Sequence, residues 1–249
     1  MQLKNATILL VDDEPDLLFI MEEWFRREGS RVLTAENGAG ALEGIRANQV
    51  DAVVSDIRMP VMDGVTMLRN IKATYLYKPS VMFISCFSDI EPREAYDLGV
   101  EATMEKPVER KELVAAVRRV LGAREELWRM PPIEEGEALL EAAFESVATA
   151  LREGLLAFGR GGFCIHSNLE LREGPVDLSL DFKQDHRRVR GQGKVRWTAP
   201  AEAQIGVEIT HIDDPNRSWI LGLTSSNEIL SFIPRSTTAG ITATMKAAG

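Results

Sequence analysis

Asp56 follows an apolar run, Ala52-Val53-Val54, and opens the segment Asp56-Ile57-Arg58-Met59-Pro60-Val61-Met62-Asp63-Gly64. Asp12 and Asp13 follow a second apolar run, Ile8-Leu9-Leu10-Val11, and Ser85 follows a third, Val81-Met82-Phe83-Ile84. Lys106-Pro107 comes fifty residues after Asp56. Clustered carboxylates with oxygen-only ligation suit Mg2+, which binds through a few carboxylates and phosphate while keeping waters. A carboxylate beside such a cation can accept a phosphoryl group as a nucleophile, while a lysine holds an equatorial phosphate oxygen. In this reading Asp56 is both ligand and phosphoacceptor, Asp13 a direct ligand, and Asp12 a ligand directly or through water. Lys106 and Ser85 contact the phosphate, and Pro107 fixes the backbone after Lys106, as a cis peptide bond would. Each residue alone has a plainer role as a strand-end turn, a loop cap or a surface cation. Only their joint order points to chemistry.

The elements that must position these residues read as five strand–helix units. Strands are expected near 6–11, 31–35, 51–55, 81–85 and 101–104, and helices near 15–28, 38–47, 64–73, 91–98 and 109–121. Pro15 stands just inside the first helix and Gly29 just past it, the usual punctuation. Five such units in series predict a parallel sheet covered by helices on both faces. Ligands then bind beyond the carboxyl ends of the strands, near the switch in strand order. A boundary is expected after Gly122, with Trp128 and Pro131-Pro132 interrupting a helix. A helix over Glu134–Arg152 is expected from the stripe Leu139, Leu140, Ala143, Phe144, Val147 and Leu151. It would pack on the following module or pair with a second copy. Short strands follow, near Leu155–Phe158, Phe163–His166, Val176–Phe182, Lys194–Trp197 and Ile205–Ile209, and suggest a small barrel or sandwich. Asp214-Pro215 reads as a helix start, and the tail from Ser236 as mobile.

The 249 residues suffice for two domains, and 45% hydrophobic with 27% charged content describes a globular protein. The net charge of −9 argues against broad nucleic-acid binding. It divides as −5 over residues 1–122, −5 over 123–153 and +1 over 154–249. No membrane-length apolar run and no signal-peptide pattern is present, so a cytoplasmic location is expected. Cys86 and Cys164 have no metal or disulfide spacing. No helix-turn-helix pattern is seen, so no DNA partner is expected.

The order Asp12-Asp13, Asp56-Ile-Arg-Met-Pro-x-Met-Asp-Gly64, Ser85 and Lys106-Pro107 resembles the receiver domain of bacterial two-component response regulators, over about residues 5–122. The resemblance implies a doubly wound, flavodoxin-like fold, phosphotransfer from a histidine kinase to Asp56, and an Mg2+ shell completed by the backbone carbonyl of Arg58. Two positions depart from the pattern. Thr103 stands at the switch position, three residues before the lysine, where Tyr or Phe is usual. Cys86 stands where a small alanine is usual.

Gly161-Gly162-Phe163, Leu171-Arg172-Glu173-Gly174, Gly191-Gln192-Gly193-Lys194-Val195-Arg196-Trp197 and Gly206-Val207-Glu208-Ile209 resemble the PilZ family of six-stranded barrels, many of which bind cyclic di-GMP. Binding members carry two arginines four apart, then Asp-x-Ser-x-x-Gly. Here Ala157 and Gly159 stand at the Asp and Ser positions, and Arg124, Arg129 and Arg152 include no pair four apart. Ordinary cyclic di-GMP binding is therefore not expected. Arg160, Arg187, Arg188 and Arg190 could form another anion site, but a solvated basic loop is the favoured reading. The expected organisation is a receiver at 1–122, a linker with a helix at 123–153, a PilZ-like barrel with a C-terminal helix at 154–235, and a tail at 236–249. The expected function is a response regulator whose degenerate PilZ-like domain acts on a protein partner and is no enzyme. The alternative is an effector that binds cyclic di-GMP through non-standard residues.

Overall fold

A computed structural model describes residues 3–86, 89–131, 136–224 and 229–235. In its first half, β1 (Thr7–Val11), β2 (Arg31–Ala35), β3 (Ala52–Ser55), β4 (Ser80–Ser85) and β5 (Ala102–Glu105) form a five-stranded sheet. The strand order is β2-β1-β3-β4-β5, all neighbours parallel. The helices are α1 (Pro15–Arg27), α2 (Gly38–Ala47), α3 (Gly64–Thr74), α4 (Pro92–Asp97) and α5 (Arg110–Leu121). Every residue of β1 and β3 is buried, as strands covered on both faces must be. One core packs β1, β3 and β4 against Met21 and Phe25 of α1 and Leu113 and Val117 of α5. A second packs the opposite face against Ala41 and Ile45 of α2 and Met67 and Ile71 of α3. Order reverses between β1 and β3, which sets the crevice where their carboxyl ends meet.

The second half is a six-stranded mixed sheet of the PilZ-like barrel type. Its strands are β6 (Ala138–Phe144), β7 (Leu156–Phe158), β8 (Gly162–His166), β9 (Gly174–Phe182), β10 (Arg187–Ala199) and β11 (Gln204–Ile212), in the order β6-β9-β10-β11-β8-β7. Three short helices accompany them: α6 (Arg124–Leu127), α7 (Val147–Arg152) and α8 (Arg217–Thr224). Of the helix expected over Glu134–Arg152, Glu134 and Glu135 lie outside the described residues; among those described, residues 138–144 are a strand and 147–152 alone are helical. The physical reason is that a spacing of four fits both one helical turn and two strand pleats. Leu140 and Phe144 are buried either way. Pairing with β9 decides, placing Leu140 beside Leu178 and Phe144 beside Phe182. The Phe144 and Phe182 rings stack at 5.3 Å. A dimer through that helix loses its basis.

Strand β10 is far longer than the expected Lys194–Trp197, because β9 pairs with its residues Arg187–Val195 and β11 with Gly191–Ala199. Gly191 and Gly193 lie inside it, beside an irregularity in its pairing with β11. A Cβ on Gly191 would stand 2.2 Å from the His211 carbonyl, so glycine here marks close backbone approach rather than a turn. The tail from Ser236 lies outside the described residues. Among the described residues no helix is long and apolar enough to cross a membrane.

Trp128, just past α6, is 2% exposed and belongs to the barrel's apolar core. Its carbonyl accepts the Ile212 N–H at 3.1 Å. The segment after α5 therefore plugs into the second domain instead of swinging free. Trp128→Ala should destabilise the second domain by about 3–5 kcal/mol, the cost of a large aromatic cavity. Urea denaturation measures this, and a loss below about 1 kcal/mol would show that Trp128 is not part of that core.

Candidate phosphoryl and cation site

The carboxyl ends of β1, β3, β4 and β5 each deliver a polar side chain to the crevice. Asp12 and Asp13 follow β1, Asp56 follows β3, Ser85 ends β4 and Lys106 follows β5. Backbone bonds fix these ends. Asp56 N–H donates to the Val11 carbonyl at 2.8 Å, and Lys106 N–H to the Ser85 carbonyl at 2.9 Å. One ligand oxygen from each of Asp12, Asp13 and Asp56 lies within 4.8 Å of the others. Lys106 Nζ donates to Asp12 Oδ2 and to Asp56 Oδ2, both at 3.0 Å. The other oxygens are also engaged: Asp12 Oδ1 accepts the Glu14 N–H at 2.9 Å, and Asp56 Oδ1 accepts the Ile57 N–H at 2.7 Å.

Burial pushes the Asp12 carboxyl above its usual range, against the Glu14 N–H and Lys106, and the Asp56 charge adds to the push. For Lys106, burial favours the neutral amine, but the hydrogen bonds to Asp12 and Asp56 outweigh it and raise its pKa. A carboxyl with a raised folded-state pKa binds protons more readily folded than unfolded. Ionised Asp12 therefore costs stability at neutral pH, and the cost falls as pH drops through that raised value. A cation among the three carboxylates would offset the same repulsion. The donor set, three carboxylates from two strand ends with all-oxygen chemistry, fits Mg2+.

The segment after Asp56 is shaped by its own residues. Asp63 caps α3 by accepting the Thr66 N–H at 2.6 Å. A Cβ on Gly64 would lie 2.4 Å from the Asp56 carbonyl oxygen. The Asp-Gly pair thus lets α3 begin hard against the backbone of Asp56. Thr103 is half-buried on β5, beside Phe83 of β4. The Lys106–Pro107 bond is cis. The Arg58 side chain is exposed and pairs with Asp89, whose Oδ2 also accepts the Cys86 N–H at 2.8 Å. Sequence reading missed Asp89, which lies in no motif. It also missed Glu14, 3.6 Å from Lys106 Nζ, whose signal was the continuation of the acidic run.

The four arginines do not gather into one site. Arg160 is 1% exposed, and its guanidinium donates to Glu101 Oε1 at 2.9 Å and the Gly99 carbonyl at 2.9 Å, both in the first domain. Arg187 lies over the Trp219 ring at 5.8 Å, and Arg188 pairs with Asp181 at 3.0 Å. Arg190 is exposed on β10.

The sequence profile of the response regulator receiver domain matches residues 8–118, and that of the PilZ domain matches residues 145–226. The chain thus contains a response regulator receiver domain over residues 8–118 and a PilZ domain over residues 145–226. The transcriptional regulatory protein PrrA of Mycobacterium tuberculosis is 38% identical over 121 residues, 48% of this chain and 52% of that protein. The transcriptional regulatory protein GlrR of Escherichia coli is 35% identical over 130 residues, 51% of this chain and 29% of that protein. The chain thus spans about half, or less, of the curated relatives it matches. Among solved structures, a putative response regulator from Chloroflexus aurantiacus is 31% identical, covering 47% of this chain and 98% of that one, with a TM-score of 0.44. The receiver domain of a Pseudomonas aeruginosa sensor histidine kinase, with magnesium in its active-site cleft, is 28% identical, covering 48% and 99%, with a TM-score of 0.44.

Val61 has a φ of +66° and is 87% exposed. A β-branched residue is strained in that region, whereas Asn tolerates it. Val61→Asn should therefore stabilise the protein by about 1 kcal/mol, roughly 3 °C in Tm. Thermal denaturation reads this directly, and an unchanged Tm would mean the loop carries no such strain.

Proposed function

We infer that this protein is a Mg2+-dependent phosphoacceptor of two-component signalling, phosphorylated on Asp56 by a histidine kinase, with the PilZ domain as the output it controls. The observation that carries this reading is the cluster of Asp12, Asp13 and Asp56 with Lys106 bridging two of the three. Asp12, Asp13 and Asp56 would hold the ion, with the Arg58 carbonyl as a further oxygen ligand. Bound there, the cation supplies positive charge that offsets the carboxylates and the incoming phosphoryl oxygens. The Asp56 carboxylate attacks phosphorus, and the new O–P bond replaces the N–P bond of the kinase's phosphohistidine. Lys106 exchanges its bond to Asp56 Oδ2 for one to a phosphoryl oxygen, and the Ser85 hydroxyl donates to another. Thr103 stands where an aromatic side chain would otherwise report that change.

The side of the receiver formed by its last two units, roughly 85–122, lies against the PilZ domain. Arg93 donates to Gln204 Oε1 at 3.1 Å, and Arg119 pairs with Glu208 at 3.1 Å. Added charge at Asp56 shifts the receiver's populations, and these contacts put the shift next to the output domain. That output acts on a protein partner. The loop that would meet a dinucleotide is spent on the receiver through Arg160. A Cβ at Gly159, the serine position, would lie 2.4 Å from the Phe232 carbonyl.

Acetyl phosphate with Mg2+ should label the protein with one acid-stable, alkali-labile phosphoryl group, lost with EDTA and in Asp56→Asn. Equal labelling of Asp56→Asn would remove Asp56 from the role. Calorimetric titration with cyclic di-GMP should give no binding heat, with or without Mg2+ and beryllofluoride. Micromolar binding in either state would replace the protein-partner output with a nucleotide-responsive one.

A further inference from the structure

Residues 229–235, Ile229-Leu230-Ser231-Phe232-Ile233-Pro234-Arg235, lie between the two domains and are gripped by both. On the PilZ side, the turn between β7 and β8 treats them as an extended peptide. Arg160 N–H donates to the Ser231 carbonyl at 2.8 Å and Gly161 N–H to the Phe232 carbonyl at 2.9 Å. Arg160 Nε donates to the Leu230 carbonyl at 3.0 Å. On the receiver side, Phe232 N–H donates to the Tyr96 carbonyl at 2.8 Å. Asp97 Oδ1 accepts from Ser231 Oγ at 2.9 Å and from Arg235 N–H at 3.1 Å, while its Oδ2 pairs with Arg235 Nε at 3.2 Å.

The contact has an aromatic anchor as well as a backbone ladder. The Phe232 ring packs against Tyr96 with centroids 6.1 Å apart, and the Arg124 guanidinium lies 5.6 Å over its face. A Cβ on Gly161 would stand 2.0 Å from that ring, so the absent side chain is what makes the pocket. Phe232 and Ile233 complete an apolar cluster with Tyr96 of the receiver and Cys164 and Trp197 of the PilZ domain. Main-chain hydrogen bonds plus a side-chain pocket is the way folded domains bind extended peptides. Other side-chain contacts between the domains are ionic, Arg160 with Glu101, Arg93 with Glu202 and Arg119 with Glu208, or join an arginine to a neutral acceptor, Arg93 to Gln204 and Arg160 to the Gly99 carbonyl. Ionic contacts of this kind fix orientation more than they add affinity.

We propose that the cleft between α4 and the β7–β8 turn is a peptide-binding groove, that its occupant is the chain's own segment 229–235, and that this segment is the clasp holding the receiver to the PilZ domain. Its anchor on the receiver is the end of α4, so anything that moves α4 moves the clasp.

The test uses full-length Phe232→Ala and, separately, full-length Asp97→Ala, which removes the receiver-side carboxylate that holds Ser231 and Arg235 from a partly exposed position. In hydrogen exchange, the backbone amides at positions 161 and 232 should exchange about tenfold faster or more than in the unaltered chain. Small-angle scattering should show a larger radius of gyration as the domains part. A synthetic peptide of sequence ILSFIPR, added at millimolar concentration to Phe232→Ala, should restore protection at Gly161. Retained protection of Leu9 and Leu180 shows that both sheets stay folded. If Phe232→Ala loses that protection, Asp97→Ala decides by the same exchange and scattering readings. Fast exchange at Gly161 with an unchanged radius would overturn the clasp. Failure of the peptide to protect Gly161 in folded Phe232→Ala would overturn the groove, and unchanged exchange in a folded variant would overturn both.

Discussion

Three carboxylates whose oxygens lie within 4.8 Å of one another repel, and the receiver half is arranged to hold them there. Parallel pairing of β1 with β3 fixes Asp12 and Asp56 side by side, and β5 brings Lys106 between them. The main chain supplies further compensation through the N–H groups of Glu14 and Ile57. The two apolar cores on either face of the sheet provide the rigidity. Without it, a small outward shift of the strand ends would relax the repulsion and the site with it. Hydrophobic burial thus stabilises an arrangement that its own charges oppose, and that opposition is what a cation among them would relieve.

The contact between the domains obeys a related constraint. Glu101 is buried, and its Oε1 accepts from both Lys72 at 3.1 Å and Arg160 at 2.9 Å, while Oε2 accepts the Val81 N–H at 2.6 Å. Burial draws the Lys72 ammonium below its ordinary range although Glu101 favours its charge. Burial alone would also lift the Glu208 carboxyl, but Arg196 and Arg119 hold it low. Removing one member of such a group leaves an uncompensated buried charge. The ionic contacts therefore select one orientation of receiver on PilZ domain, and the apolar cluster around Phe232 fills the space between them.

The receiver half was legible because its signals are local. Apolar runs of strand length, helix punctuation at Pro15 and Gly29, and carboxylates at strand ends each depend on a few neighbouring residues. The structure places its five strands and five helices within a residue or two of those expected. The second half was less legible. Ala138–Phe144 combines helix-favouring Ala, Leu and Glu with a spacing of four that suits a strand equally well, and its partner β9 is 38 residues away, as in the pairing of Leu140 with Leu178. Gly191 and Gly193 precede the strand expected from Lys194, yet they lie inside β10, where neighbouring backbone comes too close for a Cβ. Trp128 read as linker because nothing near it in sequence indicates the cavity it fills.

The amino-acid sequence by itself determined the order of the candidate phosphoryl-site residues, the parallel sheet that carries them, and the departure of the second half from the residues of a dinucleotide site. Those properties follow from residue type and short-range periodicity. The tertiary structure decided that Lys106 bridges Asp12 and Asp56, that β6 is a strand, and that Arg160 faces the receiver instead of a ligand. It also brought residues 229–235 between the domains. These outcomes rest on contacts between residues tens to more than a hundred positions apart, and such contacts are set by competition among surfaces for burial and for hydrogen-bond partners. No local pattern records that competition.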